Sequence, residues 1–91
     1  MVKITKIGNG IEFDATELTG SGDTFAKKMF VPVHAIEKIK LHNDRVIGQD
    51  SLGNEWNLNK TGSGGAYPVD TIEGVAVSDL QDLYNKLIAL I

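Results

Sequence analysis

The two histidines are the side chains best suited to metal binding or acid–base catalysis, since this 91-residue chain contains no cysteine. A zinc site built on His34 and His42 would need a further ligand, such as Glu37 or Asp44. The spacing of the two histidines matches no common zinc pattern, and no serine lies at a spacing typical of nucleophilic catalysis. We therefore predict no catalytic site, no metal and no cofactor, and expect that the protein is not an enzyme.

Two glycine-containing segments have some features of ligand-binding loops. Residues 61–65 (TGSGG) offer backbone amides to a phosphate, but neither Lys-Ser/Thr nor a helix start follows, as a phosphate loop requires. Residues 50–55 (DSLGNE) lack the alternating oxygen ligands and distal glutamate of a calcium loop. We interpret residues 59–66 as a mobile surface loop, and the alternative is a loop that becomes ordered against a neighbouring subunit. We interpret residues 50–53 as a turn.

Basic residues are concentrated in the middle of the chain. The overall net charge is −3, yet residues 25–45 contain five basic and two acidic side chains, while the rest of the chain carries −6. Either a phosphate backbone or the acidic face of a second copy would suit such a surface. Trp56 and Tyr67 are candidates for stacking on bases, although the single tryptophan of a small domain is more often a core residue. The predicted anionic-partner patch consists of Lys27, Lys28, Lys38, Lys40 and Arg45. The alternative is an ordinary solvated sheet face.

Residues 78–91 form the clearest secondary-structure pattern, because apolar residues recur at helical spacing along one face. Ser78 and Gln81 are predicted to form a capping box, and Asp82 and Lys86 an ion pair one turn apart. A helix this short is marginal in water, so its apolar face must be buried against the chain's own sheet, a second copy, or both. The predicted oligomer or partner interface consists of Leu80, Leu83, Tyr84, Leu87, Ile88, Leu90 and Ile91.

Alternating apolar and polar residues predict strands over most of the remaining chain. They lie at 2–7, 11–16, 25–31, 37–42, 45–49 and 54–58, with a further short strand at 67–72. We predict an α+β fold, in which a small antiparallel β-meander or barrel of about six strands is followed by one C-terminal amphipathic helix, and residues 1–91 form a single domain. No apolar run suggests a signal peptide or a membrane span. We expect a cytoplasmic or virion location without membrane association.

Two resemblances add to this interpretation. Residues 2–11 (VKITKIGNGI) and 72–80 (IEGVAVSDL) resemble small accessory proteins encoded among bacteriophage structural genes, such as head-decoration or head-associated proteins. This resemblance implies a capsid or another repeated lattice as the partner. Residues 30–39 (FVPVHAIEKI) are similar in pattern to β-rich DNA-binding domains of response regulators, which implies a nucleic-acid partner.

The sequence thus leads to two functional hypotheses. The first is a non-enzymatic structural or interaction protein that associates with itself and serves as an accessory component of a larger assembly, such as a phage virion. Its basis is the apolar helix and the lack of a catalytic motif. The alternative is a small nucleic-acid-binding or regulatory module that uses the basic strands of residues 25–45.

Overall fold

A computed structural model describes residues 2–15 and 28–91. The described strands are β1 (Val2–Ile7), β2 (Gly10–Asp14), β3 (Lys28–Pro32), β4 (Ile36–Leu41), β5 (Val46–Asp50), β6 (Glu55–Asn59), β7 (Tyr67–Ile72) and β8 (Val75–Ala76). The helix α1 spans Leu80–Ile88, and short 3-10 helices span Val33–Ala35 and Ser63–Gly65. The start of the strand predicted at 25–31, including Lys27, lies outside the described residues. Among those residues, no helix has both the length and the apolar character needed to cross a membrane.

The strands form one open sheet in the order β3-β2-β1-β7-β6-β5-β4, and β8 pairs with β7. Two antiparallel meanders, β1–β3 and β4–β6, are joined by β7, which runs parallel to both β1 and β6. The fold is therefore a small, mostly β domain with one C-terminal helix, as the predicted fold class requires in outline. The described residues contain more strands than the predicted six, and their sheet is mixed, because β7 lies in its middle.

The β7–β8 hairpin is absent from the sequence prediction. Its turn residues Glu73 and Gly74 have φ values of 53° and 76°, and Ile72 pairs with Val75. Two successive residues with positive φ are typical of a tight hairpin turn, but asparagine or glycine usually occupies the first position. With glutamate at the first turn position and a strand β8 of only two residues, the sequence shows no pattern typical of a hairpin.

Inward-facing side chains of both meanders meet in one apolar core. The ring centroids of Phe13 in β2 and Trp56 in β6 lie 5.0 Å apart, with an angle of 51° between the ring planes. In a flat sheet these strands, three positions apart, would be separated by about 14 Å. The contact therefore requires the sheet to curl until its two meanders face each other. Residues with no exposed surface include Val2, Ile4, Ile11, Phe13, Val31, Val46, Trp56, Leu58, Val69, Leu83 and Leu87.

Two glycines allow aromatic rings to lie flat against the sheet. Gly48 is the register partner of Trp56, and a Cβ atom on Gly48 would lie 2.1 Å from the indole ring. A Cβ atom on Gly10 would lie 2.2 Å from the ring of Phe30. The two sites differ in exposure, since Trp56 is fully buried whereas Phe30 is 47% exposed.

The helix α1 contacts β4, β5 and β7, and its cap differs from the predicted one. The prediction of Ser78 as N-cap is wrong, because the Asp82 amide donates to Asp79 Oδ1 at 2.8 Å. The Ser78 amide instead donates to Asp82 Oδ2 at 2.9 Å. Aspartate caps helices as well as serine does, so the local pattern did not distinguish the two residues. The predicted ion pair between Asp82 and Lys86 is confirmed.

We expect Gly48→Ala to destabilise the protein by about 1–3 kcal/mol, since the new methyl group forces a buried ring to move. Gly10→Ala is the matched control. It also places a methyl group under a ring, but Phe30 is free to swing outward, so its cost should stay below about 1 kcal/mol. Urea unfolding followed by Trp56 fluorescence measures both. An equal decrease in the free energy of unfolding in the two variants would contradict the conclusion that Trp56 is packed more tightly than Phe30.

The helix cap should make stability depend on acidic pH. Hydrogen bonds from Lys86 and from the Ser78 amide lower the pKa of Asp82 to about 2. Because folding favours the ionised carboxylate, this contribution is fully present above about pH 4 and is lost as the pH falls to about 2. Asp82→Asn should therefore lower the melting temperature at pH 7 and flatten its decline between about pH 4 and pH 2. Thermal unfolding by circular dichroism measures both effects.

Lys86→Met serves as the companion variant for this test. It removes the first cause of the lowered pKa of Asp82 while keeping a good helix former. The same flattening, to a smaller extent, is expected. If the melting temperature of Asp82→Asn falls with decreasing pH as steeply as that of the wild type, other carboxylates control the acid dependence of stability.

Candidate interaction surfaces

The outward face of β4 carries a row of basic side chains. Lys38 and Lys40 are exposed and lie two residues apart, and the exposed His42 directly follows the strand. A depression of about 140 Å³ lies beside the row, lined by Lys38, Lys40, His42, Ile47, Gln49 and Glu55. Sites that enclose a small molecule usually measure about 300–1,000 Å³. This depression therefore suits a contact with part of a larger partner.

Lys38 and Lys40 form no ion pair or side-chain hydrogen bond within the described part of the chain. Other basic side chains are used internally. Lys6 Nζ donates to the Leu90 carbonyl at 2.7 Å and Lys60 Nζ to the Ser78 carbonyl at 3.1 Å, and Lys86 pairs with Asp82. The two lysines of β4 thus remain available to a partner.

Arg45, another member of the predicted basic patch, joins two loops. Its guanidinium donates to both carboxylate oxygens of Asp44 at 3.2 Å and to the Gly64 carbonyl at 3.0 Å. The hydrogen bond from Arg45 lowers the pKa of Asp44. The Arg45 side chain is only 23% exposed, and its charge is largely compensated within the molecule.

The glycine-rich segment 59–66 is held in place by Asn59, which is 4% exposed. Asn59 Oδ1 accepts hydrogen bonds from the amides of Thr61 at 3.1 Å and Gly62 at 2.6 Å. Asn59 Nδ2 donates to the carbonyls of Ser63 and Asp44. Residues 61 and 63–65 are exposed, as expected of a surface loop, and the mobility of the segment stays a prediction. Because two amides at its start already donate to Asn59, the segment is poorly prepared to cradle a phosphate.

The structure separates the other proposed contributors to a basic patch. Lys28 lies on β3, at the opposite end of the strand order from β4. The two strands do not pair in the described sheet, so strand pairing does not place Lys28 beside Lys38 and Lys40. Trp56 is completely buried and cannot stack on a base. Tyr67 is half-buried and already has a partner within the chain.

Asp50, at the end of β5, organises the turn before β6. It is 5% exposed, and its Oδ1 accepts from the amides of Leu52 at 2.9 Å and Asn54 at 3.0 Å. Its Oδ2 accepts from Asn54 Nδ2 at 3.0 Å and Trp56 Nε1 at 3.3 Å. Burial acts to raise the pKa of Asp50, but the hydrogen bonds outweigh it and the pKa is lowered. The carboxylate is therefore a structural acceptor, and residues 50–53 form a turn as predicted.

The predicted interface residues of the helix fall into three levels of exposure. Leu83 and Leu87 are completely buried and Leu90 is 8% exposed, so they belong to the chain's own core. Leu80 and Tyr84 are half-buried and pack against that core. Ile88 and Ile91 are 41% and 48% exposed. The apolar face thus continues from the core onto the surface at the C-terminal end of α1.

The two histidines lie in different parts of the described fold. His34 lies in the first 3-10 helix and His42 after β4, and both are exposed. The described residues contain no group of three metal-ligating side chains. Comparisons with protein families, with curated proteins and with solved structures found no match to this chain. Interpretation of its surfaces therefore rests on its own residues.

Asp50→Asn should cost about 1–3 kcal/mol, because an amide group replaces an acceptor oxygen that faces buried donors. Faster hydrogen exchange of the Leu52 and Asn54 amides is expected as well. Glu55→Gln is the control, since the same chemical change at an exposed neighbour should alter stability by less than about 0.5 kcal/mol. Urea unfolding and amide exchange measure the two effects. An Asp50→Asn variant as stable as the control would remove Asp50 as the organiser of this turn.

Proposed function

We propose that this protein is a non-enzymatic structural or interaction protein that associates with itself through the exposed flank of α1. We further propose that it serves as an accessory component of a larger assembly, such as a phage virion, in the cytoplasm or in the virion itself. The observation that carries the proposal is the helix flank formed by the partly exposed apolar side chains of Leu80, Tyr84 and Ile88, beside a helix face that is already buried. The exposed Ile91 follows the C-terminal end of this flank.

The helix geometry supports a continuous flank. At about 100° per residue, Leu80, Tyr84 and Ile88 fall within an arc of about 80° at one side of the buried stripe. Their exposure increases towards the C-terminal end, from half-buried Leu80 to Ile88 at 41%. Isolated apolar side chains on a surface are ordinary, whereas a contiguous group favours an interaction site.

A second copy of the same chain is the occupant that this flank favours. Its exposed border is formed by Gln81 and Asn85, whose amide groups hydrogen-bond to each other at 3.0 Å. The border therefore carries no formal charge, and two identical flanks can approach around a two-fold axis without like-charge repulsion. The flank is small, so a stable assembly requires further contacts, such as those of a repeated lattice.

The use of the acidic side chains also favours a non-catalytic role. Hydrogen bonds within the chain lower the pKa values of Asp44, Asp50 and Asp82. A general acid that works near neutral pH needs a raised carboxyl pKa. These three carboxylates are instead suited to holding turns and the helix cap.

Ile88→Glu should weaken self-association at least about tenfold while leaving the fold intact, because it places a charge in the flank but not in the core. Ala89→Glu is the matched control, since it adds the same charge at the next residue, the exposed C-cap of the helix, which is not part of the flank. Sedimentation equilibrium across a concentration series measures the association constant, and circular dichroism the fold.

Two outcomes would count against the proposal. The first is a wild-type protein that remains monomeric at every concentration. The second is equal dissociation by Ile88→Glu and Ala89→Glu, which would place the contact elsewhere. Tyr84→Lys extends the test along the flank and is expected to weaken association more than folding.

A further inference from the structure

We propose that the outward row of β4, formed by Lys38, Lys40 and His42, binds the sugar–phosphate backbone of a nucleic acid. This surface is separate from the helix flank. Of the described residues in the predicted basic patch, only Lys38 and Lys40 remain in this row. The charge of Arg45 is compensated by Asp44, and Lys28 lies on the other edge strand.

The spacing of the row suits a linear polyanion. Alternate residues of a strand point to the same side and lie about 6.7 Å apart, so Lys38, Lys40 and His42 span about 13 Å along the edge. A single phosphate group would contact only part of this length. An extended backbone, with phosphates repeated along a line, can follow the row.

The two lysines of the row are not paired with a carboxylate, although the protein is acidic. The chain carries a net charge of −3, yet the described residues provide no ion-pair partner for Lys38 or Lys40. The nearby carboxylate of Glu55 accepts a hydrogen bond from Gln49 Nε2 at 3.2 Å. Free cations that lie side by side in this way raise the local potential towards an anionic partner.

The sheet register predicts which end of the row binds more strongly. Lys38 pairs with Gln49, which pairs with Glu55, so the Lys38 end has a carboxylate two strands away. Lys40 pairs with Ile47, which pairs with Asn57, and both neighbours are uncharged. Lys40 should therefore contribute more than Lys38.

The composition of the surface favours a nucleic acid over an acidic protein. Cores of protein–protein interfaces are depleted in lysine and enriched in aromatic residues, whereas nucleic-acid interfaces are polar and positively charged. The residues that line the depression beside the row include two lysines and one histidine, but no phenylalanine, tyrosine or tryptophan. Without one of these large rings to stack on bases, we expect mainly contacts to phosphates and little dependence on base sequence.

Fluorescence anisotropy with a labelled oligothymidylate of about 20 nucleotides tests the proposal at low ionic strength. Binding should weaken with salt, with a slope of log K against log [salt] near −1.4 for two phosphate contacts. Lys40→Gln should weaken binding at least about threefold and make the slope shallower by about 0.7. Lys28→Gln is the matched control, since it removes the same charge from an exposed lysine on the other edge strand, and it should leave binding within about twofold.

Three results would overturn the proposal: no binding at low salt, an equal effect of Lys28→Gln and Lys40→Gln, or competition by polyglutamate as effective as that by the oligonucleotide. The last result would make an acidic protein surface the partner of the row. The Ile88→Glu variant should bind the oligonucleotide per chain as the wild type does, which separates this proposal from that of self-association.

Discussion

The contact between Phe13 and Trp56 is the constraint on which the rest of the fold depends. It joins the middle strand of the first meander to the last strand of the second across the core. Trp56 fits there because Gly48 offers it a flat surface, and Asp50 accepts the hydrogen bond of its indole N–H. One ring thus links the curl of the sheet to the turn between β5 and β6. The helix then covers the β4, β5 and β7 part of the curled sheet with Leu83 and Leu87.

Much of the local structure was predictable because it depends on near neighbours in the chain. The alternation of Ile11 and Phe13 with polar residues predicted β2, and helical spacing predicted α1. The position of β7 was not predictable in the same way. Val69 pairs with Val2 although most of the chain lies between them, and no local spacing in the sequence records such a partnership. Leu58 pairs in parallel with Tyr67 across a connection of only residues 60–66, which is shorter than the connections of about a dozen or more residues that usually join parallel strands. The mixed sheet therefore appeared only in three dimensions.

The candidate surfaces were likewise predictable only in part. Charge counting identified Lys38 and Lys40, which are exposed on one face, but it also selected Arg45, whose charge Asp44 compensates. Helical spacing identified the apolar face of α1, but not which part of it the core uses. Leu83 and Leu87 are buried, whereas Ile88 is left at the surface. Composition reports which side chains exist, and only packing decides which of them remain free for a partner. Asn59 is a sequence signal for the turn that follows it, since an asparagine side chain often accepts a hydrogen bond from the backbone two residues later.

The central place of β7 has a consequence for the order in which the chain folds. Each meander consists of strands that follow one another along the chain and can form early, because bringing together segments that are close in sequence costs little entropy. The shared partner of β1 and β6 is synthesised only after both meanders are complete. Until β7 emerges from the ribosome, the nascent chain has two half-sheets whose facing edges, β1 and β6, are unpaired. Insertion of β7 is thus the step that converts two local hairpin systems into one cooperative unit, and a slow step at this point would expose both edges to other chains.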